Sequence, residues 1–251
     1  MIYLRFHDGK KSRYGILSGK TVHEISPDYF GPYKKTGKKY QLSKVKLLAP
    51  CGPQKIIALG LNYLDHIKEM KMSIPLQPVI FLKAPTALIG PGDTIVYPKN
   101  STRVDFEAEL AVVIKKKAKD IPAKKAADYI LGYTCFNDVT ARDLQKMDGQ
   151  WTRSKSFDTF APVGPWIVDD LDPNDLRIET FLNGRNVQRS STDDLIFKID
   201  EIVSFVSQCM TLMPGDIIST GTPPGTGPLF PKDKVEVRIQ GIGSLVNKVS
   251  A

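Results

Sequence analysis

The chain has 251 residues, of which 41% are apolar and 25% are charged, a composition that is typical of soluble globular proteins and excludes extended disorder. Its formal charge of +8 comes from lysines spread along the chain without an aromatic-interleaved basic stripe, so the sequence favours small anionic substrates and not nucleic acid as partners. The lack of a long apolar run, of a signal segment and of disulfide-type cysteine spacing predicts a cytoplasmic protein that does not enter a membrane.

The first fifty residues contain short apolar runs separated by turn signals at Asp8-Gly9 and at residues 18–20. We interpret residues 1–50 as a small N-terminal β extension. Within it, residues 28–39 are rich in Pro, Gly, Tyr and Lys and are expected to form a surface loop. The remaining residues, 51–251, are numerous enough for one larger β-rich domain with its own core.

A short apolar strand is predicted over residues 55–60, followed by a short helix over residues 61–70. His66 and Glu69 lie three residues apart and therefore share a face of that helix. A carboxylate beside an imidazole raises the basicity of the imidazole and can fix its tautomer, which is what a general base requires. A surface His–Glu pair without a function is the alternative. Residues 73–77 are expected to form a mobile connection after this helix.

Residues 104–114 alternate apolar side chains with others, which predicts a half-buried strand with one core face. The opposite face carries Asp105, Glu107 and Glu109, and strand geometry places the last two carboxylates about 7 Å apart. Two such carboxylates repel each other, so protonation, a basic partner or a divalent cation must offset the repulsion. Oxygen ligands without His or Cys suit Mg²⁺ or Mn²⁺. A strand whose polar face is simply hydrated is the alternative.

A second strand, residues 131–138, ends at Asp138 and leads into a helix predicted over residues 139–146. If the helix begins near Asp138, Arg142 and Gln145 follow on the same helical face. Arg142 could then bind a carboxylate with two N–H groups, and Gln145 could donate to a carbonyl.

Later in the chain, residues 151–158 predict a loop that either aims Lys155 inward or leaves it in solvent. The glycine-rich residues 221–225 carry Thr222 and could line a ligand site, although tight turns use the same residues. The other elements predicted from periodicity are a strand at 177–182, a core-facing helix at 195–210, and strands at 217–220, 234–239 and 244–249.

Five separated motifs, matching in type and order, resemble the fumarylacetoacetate hydrolase family over about residues 50–249. They are Asn62-Tyr63-x-Asp65-His66-x-x-Glu69, Asp105-x-Glu107-x-Glu109, Asp138-x-x-x-Arg142-Asp143-x-Gln145, Lys155-Ser156-Phe157-Asp158 and Gly221-Thr222-Pro223. The resemblance implies a mostly β (α+β) fold, with a rolled mixed sheet and few short helices, that assembles as a homodimer.

The resemblance also implies a metal centre and a general base. Glu107, Glu109 and Asp138 match the Mg²⁺ or Mn²⁺ ligands of the family. His66 and Glu69 match its water-activating dyad, which in short members lies on a lid helix that becomes ordered when ligand binds.

Lys155 corresponds to the family's active-site lysine, and the substrate-contacting positions correspond to Arg142, Gln145 and Thr222. We therefore predict a Mg²⁺-dependent hydrolase that cleaves a C–C bond in a β-diketo acid such as an acylpyruvate or fumarylacetoacetate, with a small anionic 2-oxo acid as substrate. The alternative is an isomerase or decarboxylase of aromatic catabolism, acting on 2-hydroxyhepta-2,4-diene-1,7-dioate or an oxaloacetate-like acid. A metal-binding or regulatory protein without enzyme activity is a third hypothesis.

Overall fold

The computed structural model describes residues 1–251, except for the side chain of Met70. Most of its regular structure is β, which confirms the predicted mostly β fold with few short helices. In chain order the strands are β1 (Ile2–His7), β2 (Ser12–Ser18), β3 (Thr21–Ser26), β4 (Lys34–Gln41), β5 (Lys46–Leu48), β6 (Ile56–Gly60), β7 (Val79–Lys83), β8 (Leu88–Ile89), β9 (Thr94–Val96), β10 (Val104–Phe106), β11 (Ala108–Ile114), β12 (Ile130–Asn137), β13 (Thr140–Ala141), β14 (Ala161–Val168), β15 (Arg177–Leu182), β16 (Arg185–Ser191), β17 (Ile217–Ser219), β18 (Gly227–Leu229), β19 (Lys234–Ile239) and β20 (Gly243–Ser250).

The helical elements are few and short. The α-helices are α1 (Leu64–Met70), α2 (Arg142–Asp148), α3 (Thr152–Lys155) and α4 (Ile199–Cys209). Single 3₁₀ segments cover Leu42–Lys44, Pro85–Ala87, Ala123–Tyr129 and Thr192–Asp194. Among the described residues, no helix combines the length and the apolar character that a membrane crossing requires.

Three sheets share the strands. The largest has the order β4-β3-β2-β1-β14-β12-β11-β17-β6-β7, with β5 beside β1 and β8 beside β14. A five-stranded sheet has the order β16-β15-β19-β20-β9, and a three-stranded sheet has the order β13-β10-β18. Most neighbouring strands are antiparallel, but β17 runs parallel to β6 and β8 runs parallel to β14, so the large sheet is mixed as expected.

The N-terminal strands continue the large sheet, because β1 pairs with β14. The expected surface loop over residues 28–39 is wrong from Lys34 onward, since Lys34–Gln41 forms β4 at the open edge of that sheet. Lysines on an exposed edge strand oppose pairing with a second chain, so the local composition of such a strand is close to that of a loop. The division of the chain at residue 50 stays a prediction.

The acidic segment forms two strands and not one, because the ladder is interrupted at Glu107. β10 belongs to the three-stranded sheet, whereas β11 lies between β12 and β17 in the large sheet. Side chains replace the hydrogen bonds that the interruption removes. The N–H of Glu107 donates to Asn137 Oδ1 at 2.9 Å, and the N–H of Ala108 donates to Gln188 Oε1 at 3.2 Å.

The prediction of a half-buried strand is also wrong, since every residue of β10 and β11 is buried. Leu110 and Val112 face a core that includes α4, while Ala111 and Val113 face a second core on the other side of the sheet. Alternation in a sequence distinguishes two faces of a strand. It does not show whether the second face meets solvent or another layer of the protein.

Two predictions for residues 139–158 also differ from the structure. The helix predicted over residues 139–146 begins only at Arg142, because Thr140–Ala141 forms β13 and pairs with β10. Asp138 therefore lies in the connection after β12, and its predicted position on one helical face with Arg142 and Gln145 is wrong. The loop expected over residues 151–158 contains the short helix α3.

Leu110 tests the packing around β11, because its side chain is fully buried. Leu110→Ala should lower the free energy of unfolding by about 2–5 kcal/mol, since it leaves a cavity that the surrounding core cannot refill. Urea unfolding followed by circular dichroism measures the loss. The matched control is Leu76→Ala, at a side chain that is 98% exposed, with an expected change below about 0.5 kcal/mol. Equal losses in the two variants would contradict the packing.

Candidate active site

Strand register brings three acidic side chains to one point. In the antiparallel pair of β11 and β12, Ala108 lies opposite Asn137, so Glu107 and Asp138 are neighbours just beyond this pair. The N–H of Asp138 donates to the carbonyl oxygen of Glu107 at 2.8 Å. Carboxylate oxygens of Glu107, Glu109 and Asp138 all lie within 4.8 Å of one another, and all three residues are buried.

Three cationic side chains contact two of these carboxylates. Lys155 Nζ donates to Glu107 at 2.7 Å and to Asp138 at 2.6 Å. Lys83 forms a salt bridge with Asp138, and Arg142 forms one with Glu107. Of the two alternatives that the sequence left for Lys155, the structure therefore shows the inward one, with the side chain buried.

Glu109 has a different environment from its two neighbours. Its Oε2 accepts hydrogen bonds from Ser219 Oγ at 2.5 Å and from the N–H of Gly221 at 2.9 Å, both of which are neutral donors. Among the described residues, no lysine or arginine forms a salt bridge with Glu109, whereas Glu107 and Asp138 each have two. A buried carboxylate without a cation is costly unless it takes up a proton or a bound ion.

The pKa values follow from these contacts. Burial alone would raise the pKa of Glu107, but the charges of Lys155 and Arg142 outweigh burial and lower that pKa to about 2. Burial, together with the carboxylates of Asp138 and Glu107, raises the pKa of Glu109 well above its usual range. The position beside Glu109 is therefore the one at which the cluster lacks positive charge.

The donor set fits a hard divalent cation. It consists of carboxylate oxygens without His or Cys, which suits Mg²⁺ or Mn²⁺ better than Zn²⁺. A cation within reach of Glu109 would also supply the positive charge that this carboxylate lacks. The cluster of Glu107, Glu109 and Asp138 could therefore bind a metal ion.

His66 and Glu69 lie together on α1, as the sequence spacing predicts. His66 Nδ1 is 3.1 Å from Glu69 Oε2, and the N–H of Gly225 donates to the same carboxylate at 3.4 Å. His66 also lines the cavity that Glu107 lines, so the pair is not a remote surface contact. Because Glu69 contacts Nδ1, Nε2 is the ring nitrogen that can face a water molecule.

Arg142 and Gln145 meet on α2 and mainly contact protein groups. Arg142 Nε donates to Asp105 at 2.9 Å and Arg142 Nη1 donates to Gln145 Oε1 at 2.7 Å, while Nη2 contacts Glu107. Three of the five N–H groups of the guanidinium are thus used, and two are left for an external carboxylate. Gln145 accepts through Oε1, which leaves its amide nitrogen as a donor.

These groups surround a cavity of about 210 Å³. The predicted site residues that line it are His66, Glu107, Glu109, Arg142, Gln145, Lys155 and Thr222. Asp138 and Glu69 lie behind this surface and contact it through Lys155 and His66. The structure thus brings the nine predicted catalytic, substrate-binding and metal-binding residues to one place.

The aromatic wall of the cavity was missed in the sequence. Phe81 and Trp151 line it, with their ring centroids 5.1 Å apart in an edge-to-face arrangement. Trp151 lies so close to Gly60 that a Cβ atom at Gly60 would come within 2.5 Å of the indole. The available signal was a glycine at a strand end, which an ordinary turn explains equally well.

Lys83 was also missed. It ends β7 and is 1% exposed, and burial lowers its pKa although the carboxylate of Asp138 acts in the opposite direction. In the sequence it follows Phe81 and Leu82 in a short edge strand, where a lysine normally faces solvent. Only the contact of its side chain with Asp138 in the structure distinguishes Lys83 from the other lysines.

Comparison with protein families places most of the chain in one of them. Residues 55–250 match the family described as "Fumarylacetoacetate (FAA) hydrolase C-terminal". Residues 1–50 match the family described as "Rv2993c-like, N-terminal".

Several individual proteins are also similar to this chain. Oxaloacetate tautomerase Fahd2a, mitochondrial, of Rattus norvegicus is 45% identical, and the match covers 82% of this chain and 70% of that protein. The crystal structure of 2-hydroxyhepta-2,4-diene-1,7-dioate isomerase from Mycobacterium marinum is 44% identical, with a TM-score of 0.94 over 100% of this chain and 98% of that one. Maleylpyruvate hydrolase from Sphingobium sp. SYK-6, solved in complex with manganese(II) ion and pyruvate, is 30% identical, with a TM-score of 0.84 over 100% and 99% of the two chains. The chain therefore belongs to the fumarylacetoacetate hydrolase family, whose superfamily consists of enzymes that include hydrolases, isomerases and a tautomerase.

Proposed function

We propose that the protein is a divalent-metal-dependent hydrolase that cleaves a C–C bond in a β-diketo acid of the acylpyruvate type. The observation that carries this proposal is the position of the His66–Glu69 pair beside the buried carboxylates Glu107 and Glu109 in one small cavity. Hydrolysis needs a base that activates water, whereas decarboxylation forms its enolate by loss of CO₂ and needs none.

The proposed cofactor is Mg²⁺ or Mn²⁺, held by Glu107, Glu109 and Asp138. When bound, such an ion supplies Lewis-acid stabilisation of the negative charge that a 2-oxo acid develops as its neighbouring C–C bond breaks. Lys83 and Lys155 hold the carboxylates of Asp138 and Glu107 in fixed positions. The complex of maleylpyruvate hydrolase with manganese(II) and pyruvate supports the assignment of both cofactor and substrate class.

In the proposed hydrolysis, His66 Nε2 takes a proton from a water molecule as that water attacks the remote carbonyl of the substrate. Glu69 accepts from Nδ1–H, and its carboxylate stabilises the positive charge that the imidazole acquires. The proton on His66 is then available for the carbon that leaves. This assigns one role to each member of the pair.

The remaining residues of the cavity are proposed to hold the substrate and its charge. Lys155 directs two of its three N–H groups to Glu107 and Asp138, so the third can stabilise the oxyanion that forms when water adds to the carbonyl. The amide nitrogen of Gln145 can donate to the same oxygen. Arg142, through its two remaining N–H groups, and Thr222 are proposed to contact the substrate carboxylate.

The size of the cavity favours a small substrate. Its volume of about 210 Å³ is below the roughly 300–1,000 Å³ that is usual for sites of drug-sized ligands. Phe81 and Trp151 form an apolar wall that excludes water from the reacting bond. An acylpyruvate with a short acyl group meets both conditions.

Isomerisation, tautomerisation or decarboxylation of a dicarboxylic acid is the second candidate. The relatives named as an oxaloacetate tautomerase and as a 2-hydroxyhepta-2,4-diene-1,7-dioate isomerase are more similar in sequence than the named hydrolase. Lys146 also lines the cavity and has no acidic partner among the described residues, so it could face a second carboxylate. The expected homodimer and the expected cytoplasmic location stay predictions.

Glu107→Gln tests the metal assignment. The variant removes one of three carboxylate charges, so its affinity for Mg²⁺ should fall at least about tenfold. The fold should survive, because Arg142 and Lys155 keep their salt bridges with Asp105 and Asp138. Isothermal titration measures the affinity, and circular dichroism checks the fold. Glu236→Gln, in the five-stranded sheet, is the control and should bind Mg²⁺ like the unmodified protein. Unchanged Mg²⁺ binding in Glu107→Gln would rule out the assignment.

A second prediction concerns the segment from Tyr63 to Gln77. In α1 and the residues that follow it, Ile67 is buried, whereas most described side chains from Leu64 to Gln77 are exposed, so few contacts oppose its opening. We expect this segment to close over the substrate and to shield the reacting bond from water. Hydrogen exchange across it should slow when oxalate and Mg²⁺ bind together. Identical exchange with and without oxalate would contradict a lid.

Assays with three acids test the proposed substrate class. Purified protein with Mg²⁺ should convert acetylpyruvate and water to acetate and pyruvate, as measured by chromatography of the products. Oxaloacetate and 2-hydroxyhepta-2,4-diene-1,7-dioate are assayed in parallel, and turnover of these two acids alone would support the second candidate. If no acid is turned over and none raises the melting temperature with Mg²⁺, the protein is not an enzyme of this class.

His66→Ala should reduce hydrolysis at least about 100-fold, since general-base catalysis typically supplies about 10² to 10⁴-fold in rate. Any decarboxylation of oxaloacetate should be largely kept, because loss of CO₂ needs no attacking water. Glu69→Gln should also lose more hydrolysis than decarboxylation, but by a smaller factor. His23→Ala in β3 is the control and should change neither activity. Equal loss of both activities in His66→Ala, or no loss, would show that hydrolysis does not proceed by this route.

A further inference from the structure

Gln188, in β16, contacts the candidate site from the five-stranded sheet. Its side chain is 2% exposed. One end of the amide contacts the strand that carries Glu109, and the other end contacts the loop of residues 221–225, which carries Thr222. The reaction proposed above assigns no task to this residue.

The oxygen of the amide completes the interrupted acidic segment. Gln188 Oε1 accepts from the N–H of Ala108 at 3.2 Å and from Thr180 Oγ1 at 2.7 Å. The pairing of β11 with β17 starts only at Ala111, so the N–H of Ala108 has no partner in that ladder. Since a buried N–H group needs an acceptor, Gln188 supplies the hydrogen bond that holds the backbone between Glu107 and Glu109.

The nitrogen of the amide binds the 221–225 loop. Gln188 Nε2 donates to Thr222 Oγ1 at 3.1 Å and to the carbonyl oxygen of Pro223 at 2.8 Å. The N–H of Ala108 can only donate and the carbonyl of Pro223 can only accept, so these two partners fix which end of the amide carries oxygen and which carries nitrogen.

That orientation also fixes the direction of the Thr222 hydroxyl. Because Thr222 Oγ1 accepts from Gln188, its own proton must point elsewhere, and the described residues offer no acceptor for it. Thr222 lines the cavity beside Glu107 and Glu109. We propose that Gln188 is a positioning residue that holds the Thr222 hydroxyl as a hydrogen-bond donor towards an anionic oxygen of the substrate. This inference rests on the proposed binding of a 2-oxo acid in the cavity.

The same anchor places two further donors of the 221–225 loop. The N–H of Gly221 donates to Glu109 at 2.9 Å, and the N–H of Gly225 donates to Glu69 at 3.4 Å. Gly225 has a φ of +92°, and a Cβ atom there would lie 2.6 Å from the carbonyl oxygen of Val187, so the loop lies directly against β16. Gln188 therefore links the proposed metal ligands, the substrate donor and the dyad through one loop.

Gln188→Glu tests the proposal. An ionised carboxylate at this position can only accept a hydrogen bond from Thr222. If the carboxyl is protonated, its single O–H donates to the carbonyl oxygen of Pro223, so neither form supplies a donor to Thr222. With Mg²⁺ present, oxalate affinity measured by isothermal titration should fall about tenfold or more, the loss expected for one hydrogen bond to a charged group. The affinity for Mg²⁺ alone should change by less than about threefold on the same scale. Oxalate affinity equal to that of the unmodified protein would overturn the proposal.

A double-mutant cycle separates positioning from general damage or charge repulsion. In a Thr222→Val background there is no hydroxyl to orient, so adding Gln188→Glu should lower oxalate affinity by less than about twofold further. Independent, additive losses would overturn the proposal. The matched control is Thr180→Val, which removes another partner of Gln188 but leaves its donor side intact, and it should bind oxalate within about twofold of the unmodified protein.

Two further measurements decide the outcome if Gln188→Glu does not fold or oxalate does not bind. Thr222→Ser keeps the hydroxyl and should bind oxalate normally, whereas Thr222→Val should not, and normal binding by Thr222→Val would overturn the proposal. Failure of the unmodified protein to bind oxalate with Mg²⁺ would contradict the proposed function instead. In that case Gln188→Glu must still speed hydrogen exchange at Gly221 and Gly225, and unchanged exchange would overturn the positioning role.

Discussion

The burial of three carboxylates in one cluster is the constraint on which the rest of the site depends. Like charges within 4.8 Å of one another repel strongly in a protein interior, and each buried carboxylate also loses its hydration. The positive charges that offset this repulsion are distributed unevenly over the three carboxylates. Lys155 bridges Glu107 and Asp138, and Lys83 adds a second cation to Asp138, while Glu109 is left with neutral donors. This uneven compensation is what separates a candidate metal centre from a closed network of ion pairs.

The same constraint explains how the fold is arranged around the site. Glu109 belongs to β11, Glu107 lies at the interruption before β11, and Asp138 follows β12. The cations come from β7, α2 and α3, so several elements must pack before the charges meet. Core residues cover both faces of β11, which makes this end of the cavity rigid. In contrast, α1 carries the His66–Glu69 pair on a mostly exposed segment. A well-packed centre and an exposed segment beside it suit a site that must admit a substrate and then exclude water.

Relatives that share this fold carry names of different reactions, including a tautomerase, an isomerase and a hydrolase. Carboxylate ligands alone do not distinguish these reactions, because each develops negative charge next to a 2-oxo group. The groups that can distinguish them lie around the centre. They are the His66–Glu69 pair on α1, the aromatic wall of Phe81 and Trp151, and the 221–225 loop that Gln188 contacts. Differences in substrate are therefore expected to arise at the periphery of the cavity.

The sequence by itself determined several elements of the fold and predicted the chemical groups of the candidate site. The strands predicted at 177–182 and 234–239 agree with β15 and β19 to the residue, because periodicity is a local property. Spacing also placed His66 beside Glu69, whereas the grouping of the separated motifs followed from the resemblance to a family. Only the tertiary structure decided that β11 is covered on both faces, that α2 begins at Arg142, and that Lys83 and Gln188 contact the candidate site. Lys83 meets Asp138 across 55 positions and Gln188 meets Ala108 across 80. Contacts between such distant residues depend on strand register and on packing between sheets, which no local pattern in the sequence records.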